Sequence, residues 1–286
     1  MAVYRRVYQP FEGGLSPVRW RWLVLLRYAL RDLFASRLFV AVLVVCFVPT
    51  VIEATIVWLV HNPTARALLH MGSGSLLVID ERFFYRVLAI QGGLALFLAA
   101  AIGPRLVAPD LADGALALYL SRPLSRTAYV AGKTGTLLLL LSVVTWLPLL
   151  ALYLLQGGLE GGGWFLGHLW LPVAIVLAAA LWIALLSLLS VALSAWVRWR
   201  LAATGLFFAV FFVGSGIGEI FNQVLRTHWG RVLNLNLLID LVWRGLFGLP
   251  GHGDLPLSAA WAALLAVCGI CWWILDRRLR AREVVR

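Results

Sequence analysis

Residues 169–196 read LWLPVAIVLAAALWIALLSLLSVALSAW, a stretch without one charged side chain. About 20 apolar residues in a helix cross the ~30 Å hydrocarbon core of a bilayer, so this run is long enough to tilt or to extend past the headgroups. Working outward, five similar runs appear: Leu38–Val60, Phe84–Val107, Gly135–Leu155, Leu201–Ile220 and Leu257–Leu275. The whole chain of 286 residues is 62% hydrophobic and 13% charged, with a mean hydropathy of +0.92. Soluble domains sit nearer half apolar and a quarter charged. A soluble enzyme, a disordered tail and a disulfide scaffold are therefore excluded. The expected fold is all-α and polytopic, with six transmembrane helices. Pro49, Pro148 and Pro172 lie within or near the ends of spans and are expected to kink them.

The net charge of +11 has three possible sources: nucleic acid, anionic lipid or membrane topology. Sorting the 24 Lys and Arg by side of the membrane separates them. The N-terminal segment, the loop after span two, the turn after span four and the C-terminus hold 18. The opposite side holds six: Arg66, Arg82, Arg86, Arg226, Arg231 and Arg244. The positive-inside rule then puts both termini in the cytoplasm of a plasma membrane, bacterial or archaeal, and an even span count agrees. Topology accounts for most of the charge, and no nucleic-acid partner is needed. The chain divides into a cytoplasmic N-terminus (1–37), a membrane domain (38–276) and a basic tail (277–286). Lys133 is the one lysine; the excess of Arg reads as genomic bias. The N-terminus has no apolar stretch after its first Arg pair, so no cleaved signal peptide is expected. Cys46, Cys268 and Cys271 all fall in apolar runs, where small packing residues are the natural reading.

Before span one, PVRWRWLVLLRYALRDLFASR places Trp22, Leu25, Leu26, Ala29 and Leu33 on one helical face, with Arg27, Tyr28 and Arg31 largely opposite. That pattern suits a helix lying in the inner interface rather than a plain extension of span one. Residues 103–133, GPRLVAPDLADGALALYLSRPLSRTAYVAGK, form a cytoplasmic loop too long for a simple turn. Pro109 is expected to break the incoming helix and Asp110 to N-cap a new one, with Asp113 favourable near its positive end. Leu111–Leu120 would be a short helix exposing Leu116, Tyr119 and Leu120. Pro123 would end it, and Ser125 or Thr127 would cap the helix into span three. Such an apolar helix either docks on a cytosolic partner or folds back on the bilayer, and the residues alone leave both open.

The order Asp110, Asp113, Gly114, Leu116, Leu118, then Ser121, Arg122, Pro123, Ser125, Arg126, then Tyr129, Gly132 and Lys133 resembles the signature loop of ABC type-2 transporter permeases. The layout agrees over nearly the whole chain and is similar to that of the permeases serving nitrous-oxide reductase maturation. The resemblance implies an ABC type-2 exporter fold and a dimer with a second permease copy or a paralogue. It also implies two copies of a cytosolic ABC ATPase, which bind the ATP and Mg. The 103–133 loop would be the coupling helix: Leu116, Tyr119 and Leu120 fill an ATPase groove, with Asp113, Arg122 and Arg126 at its rim. Where the family often has Thr and an acidic residue, this chain has Ala115 and Ala117, so fewer polar contacts are available. Gly132-Lys133-Thr134 mimics the end of a phosphate-binding loop, but Thr127 stands where the first Gly is required. No cofactor is expected on this chain.

Ionisable groups inside lipid mark pairs or pathways. Glu53 and Arg86 enter the membrane from the same side at similar depth, as an ion pair or a substrate contact, and Gln91 lies a turn deeper. Gly214 and Gly218 form a G-x-x-x-G pair, for packing within the chain or along a dimer seam. Glu219 and Asn222 follow near the outer mouth, as substrate contacts or ordinary rim groups. Residues 221–256 are the largest outer segment, in which Asp240 and Arg244 can pair four apart on an interfacial or gate helix. His61, His70, His168, His228 and His252 all fall on this side, without metal-ligand spacing. The expected function is a permease exporting a lipid, drug or other hydrophobic substrate. A mechanical relay to an outer partner is the alternative. A membrane enzyme is disfavoured, because no nucleophile and base share one depth.

Overall fold

The computed structural model describes residues 20–68, 78–113, 125–197, 199–226, 228–251 and 255–280. All regular structure among them is helical: α1 (Arg21–Ala35), α2 (Arg37–His61), α3 (Pro63–Leu68), α4 (Glu81–Ala112), α5 (Arg126–Val144), α6 (Trp146–Glu160), α7 (Gly162–Gly167), α8 (Trp170–Trp196), α9 (Arg200–Leu225), a 3₁₀ turn (Trp229–Leu233), α10 (Leu235–Leu246) and α11 (Leu257–Arg280). Six units are long and apolar enough to cross a membrane: α2, α4, α5 joined to α6, α8, α9 and α11. This is the architecture of a multi-pass helical membrane protein.

Cross-helix contacts fix the topology. α4 and α8 run in the same direction, because the Trp182 indole N–H donates to the Gly92 carbonyl (2.9 Å) and the Ser190 hydroxyl to that of Ala99 (3.3 Å). α5 runs against α4, since Gln91 faces Val144 while Asp110 meets Lys133. α1 lies at the start of α5 and the last turns of α11 lie beside the end of α8, so both described chain ends sit at one end of the bundle. The other end, called far below, carries α7, the 3₁₀ turn and α10.

The two parallel helices form the core. In the spanning window of α4, 67% of residues are buried, and 61% in α8, against 11% in α2. α2 therefore leaves most of its valines exposed, as an apolar helix in a bilayer can. Close approach to α4 rests on missing side chains: a Cβ at Gly103 would fall onto the Ser190 hydroxyl of α8, and one at Gly92 would lie 3.3 Å from the Trp182 indole nitrogen of α8 and 2.6 Å from the Trp243 ring, which the far end of the bundle supplies. Small residues at such positions bring membrane helices within van der Waals contact.

Three boundaries differ from the sequence expectation. Pro109 does not break the helix: α4 continues through Pro104 and Pro109 to Ala112, and the Asp113 N–H closes the last turn on the Pro109 carbonyl (2.9 Å). Neighbouring helices satisfy the groups a proline frees, which is why such residues survive inside membrane helices. The third span starts nine residues earlier than expected, at Arg126, with Ser125 as its cap (Ala128 N–H to Oγ, 3.1 Å), as foreseen. It is also broken at Thr145, whose hydroxyl bonds back to the Leu141 carbonyl (2.8 Å). Pro148 lies in the first turn of the following helix, where its missing N–H deprives the Val144 carbonyl of a helical donor.

α1 is a separate helix. Ser36 takes an extended conformation after it and accepts from the Phe39 N–H (3.5 Å) to start α2. The apolar face that the pattern defines meets α5, a partner the sequence does not indicate: Trp22 and Leu25 press on Gly132, and Leu26 and Trp22 approach Gly135. Arg27, Tyr28 and Arg31 are exposed.

Candidate functional site

Four of the described residues of the 103–133 motif, Asp110, Tyr129, Gly132 and Lys133, meet in one cluster. Asp110 does not cap a new helix; it lies in the last turn of α4 and faces α5. Its carboxylate accepts from the Tyr129 hydroxyl (2.7 Å) and pairs with the Lys133 ammonium (2.8 Å). Lys133 also lies 5.7 Å from the Tyr129 ring centroid, where the ring face attracts a cation. Both partners are largely withdrawn from solvent, with side chains 10% and 16% exposed. The spacing of Tyr129 and Lys133 is one helical turn, so α5 presents both to the same carboxylate. Gly132, between them, lets the Trp22 backbone carbonyl and Leu25 approach. Helices α1, α4 and α5 thus lock together at the base of residues 114–124.

Asp113 is exposed at the end of α4, and Arg126 begins α5. Gly114, Leu116, Leu118, Tyr119, Leu120, Ser121, Arg122 and Pro123 lie outside the described residues, as do His70 and His252.

At the far end, the expected Asp240–Arg244 pair forms (2.7 Å), and α4 adds a third member. The Tyr85 hydroxyl donates to Asp240, and the Arg244 guanidinium stacks 5.0 Å from the Tyr85 ring centroid. Burial pulls the Arg244 pKa down, but the hydrogen bond and charge of Asp240 outweigh it and hold the value above the ordinary one. α4 is therefore clamped at each end by a carboxylate, a cation and a tyrosine. Tyr85 carries no sequence signal for this role, because its partner lies 155 residues away.

The remaining membrane residues separate. Glu53 and Arg86 line one small cavity of about 130 Å³ with Ile56, Phe83 and Ile90, yet no ion pair within 4 Å joins them. Gln91 does not share that cavity. It is fully buried against α2 and α5, and in the amide orientation that satisfies both its ends it accepts from the Thr50 hydroxyl. Its nitrogen donates to the carbonyls of Cys46 (3.2 Å) and Val144 (3.3 Å). The Val144 carbonyl is the one Pro148 deprives, so Gln91 is a helix tie rather than a channel group.

Glu219 is exposed, whereas the Asn222 side-chain oxygen accepts from the Gly230 N–H (2.8 Å) and clips α9 to the 3₁₀ turn. Gly214 and Gly218 pack on the same turn, against the carbonyls of Leu233 and Gly230, so their close approach is within the chain. His61 lies 3.8 Å from Glu160, His168 stacks on Trp164, and no group of three metal-ligating side chains occurs among the described residues. No family model matches the chain, and comparison with curated proteins returned no significant match.

Proposed function

We propose that the chain is the membrane subunit of an ABC transporter of the type-2 class, exporting a lipid, drug or other hydrophobic substrate with ATP hydrolysed by a separate cytosolic subunit. The observation that carries the reading is the Asp110–Tyr129–Lys133 cluster with α1 seated on Gly132. A segment that receives force from an ATPase must be anchored to the spans it moves. Here its two flanks, the end of α4 and the start of α5, are joined by an ion pair and a hydrogen bond, and α1 is packed against the joint. Displacement of residues 114–124 would then tilt α4, α5 and α1 as a unit instead of bending one flank. α4 carries the motion inward, because it is the most buried span and is fixed again at its far end by Tyr85 and Asp240.

In this scheme the permease pairs with a second copy or a paralogue, and two ATPase subunits with their ATP and Mg dock on the paired loops. The resemblance assigns Arg122 and Arg126 to the rim of that contact. The test is to look for an ABC ATPase among the neighbouring reading frames, express the chain with it and measure co-purification, ATP hydrolysis and substrate-stimulated turnover. The R122E/R126E double variant is expected to assemble in the membrane yet lose stimulated hydrolysis. Unchanged coupling in that variant, or no ATPase in the purified complex, overturns the assignment. A mechanical relay would show coupled hydrolysis without substrate movement into or out of vesicles.

A further inference from the structure

The far end of the bundle holds only six of the chain's 24 basic residues by the charge sorting above, and three of them converge. Arg82, Arg86 and Arg244 line one cavity of about 430 Å³ with Tyr85, Leu249 and Pro250. That volume is within the ordinary range for small-molecule sites. The rule that places arginines on the cytoplasmic side does not explain this gathering.

Four acids lie nearby, but their placement leaves the guanidinium donors of Arg82 and Arg86 unused. Asp240 is committed to Arg244 and Tyr85, and Asp80 caps α4 by accepting from the Phe83 N–H (3.0 Å). Glu81 sits in the first turn of α4, and Glu53 shares the smaller cavity beyond Arg86. Arg82 and Arg86 make no hydrogen bond or ion pair with any described residue, although they stand one turn apart on one face, a spacing at which like charges repel. Planar guanidinium forks so placed fit the oxygens of a phosphate.

The same face of α4 continues as an open apolar stripe. Ile90 is 45% exposed, nothing lies within 4 Å of a Cβ built on Gly93, and Phe97 is 59% exposed beside Phe208 of α9. This is unusual for the span that is otherwise the most enclosed. From Arg86 to Phe97 the helix rises about 16 Å, the depth of one leaflet of a ~30 Å hydrocarbon layer. We propose that this end of α4 is a binding site for an anionic amphiphile, its phosphate held by Arg82, Arg86 and Arg244 and its acyl chain laid over Ile90, Gly93 and Phe97. The site goes beyond the transport reading and does not depend on it, since binding requires no ATPase.

The test uses the full chain, purified in detergent and delipidated, with bound lipid counted by native mass spectrometry. The probes are dioleoylphosphatidylglycerol, dioleoylphosphatidylcholine and inorganic phosphate. Phosphatidylglycerol is expected to bind about tenfold more tightly than phosphatidylcholine, and R82Q/R86Q to abolish that preference. R27Q/R31Q, which removes two exposed arginines on α1, is expected to keep it. Gly93→Leu, filling the stripe, is expected to weaken lipid binding and leave phosphate binding unchanged. Equal binding of the two lipids, or an unchanged preference in R82Q/R86Q, overturns the site. Inorganic phosphate binding as tightly as phosphatidylglycerol overturns the amphiphile assignment and leaves an ion site only.

Discussion

Replacing Lys133 with methionine would leave the Asp110 carboxylate with the Tyr129 hydroxyl as its one remaining partner in the cluster. Removing one partner of a buried ion pair costs about 3–5 kcal/mol, because the other charge stays desolvated. Here the two side chains retain 10% and 16% exposure, so water reaches the orphaned group and the loss should fall at the low end, about 3 kcal/mol. Asp110→Leu, which strands the ammonium, should cost a similar amount. The double variant D110L/K133M removes both charges and replaces them with apolar volume, so it should lie within about 1 kcal/mol of the parent. Tyr129→Phe should cost about 1.5 kcal/mol in the parent, where the hydroxyl donates to a charged acceptor, and less in the double variant. The assay is reversible unfolding in mixed micelles, titrated with sodium dodecyl sulfate and read by tryptophan fluorescence. Additive single costs, with a coupling energy below about 0.5 kcal/mol, would refute the claim that the cluster joins α4 to α5.

Two further outcomes follow from the packing of α4. Gln91→Leu keeps the volume but leaves the Val144 carbonyl without a donor and should cost about 1–3 kcal/mol in the same unfolding assay. Gly103→Ala, which drives a methyl group onto Ser190, should destabilise by about 1–3 kcal/mol, whereas Gly93→Ala, with open space around it, should be silent or slightly stabilising.

What the sequence made legible was whatever depends on residues close together in the chain. Six spans follow from uninterrupted apolar runs, the Asp240–Arg244 pair from a spacing of four, the Ser125 cap from its position before a helix, and the α1 face from its 100° period. For Asp110 the sequence points elsewhere, because a carboxylate after a proline has a plausible local use as a cap. Its actual partners lie 19 and 23 positions on, at Tyr129 and Lys133, and only the packing of α4 on α5 brings them to it. Depth alone groups Gln91 with Arg86, whereas rotation about the helix axis sends it to the opposite side, toward the gap made by Pro148. The break at Thr145 was hidden for the same reason: an apolar run scores as one span whether or not its backbone is continuous.

The excess of arginine passed as genomic bias in the sequence, but its exception has a physical reason. Lys133 is the one lysine in the chain and the one buried cation among the described residues. An ammonium is a compact point charge, able to sit between Asp110 and the Tyr129 ring with the backbone of α1 close by at Gly132, where a planar guanidinium needs more room. The far clamp uses arginine instead, and there the cation is partly open and stacks flat on Tyr85. The two clamps are about 37 Å apart along α4, from Tyr85 to Asp110, slightly more than the ~30 Å of hydrocarbon. Each therefore falls near a membrane surface, and the helix between them is bound to its neighbours by small residues and indole or hydroxyl bonds to its carbonyls. Motion imposed at Asp110 would, on the transport reading, be carried along α4 to Tyr85, next to the arginines of the proposed anion site. On the transport reading, the polar residues most relevant to coupling and those most relevant to ligand recognition are the opposite ends of one helix.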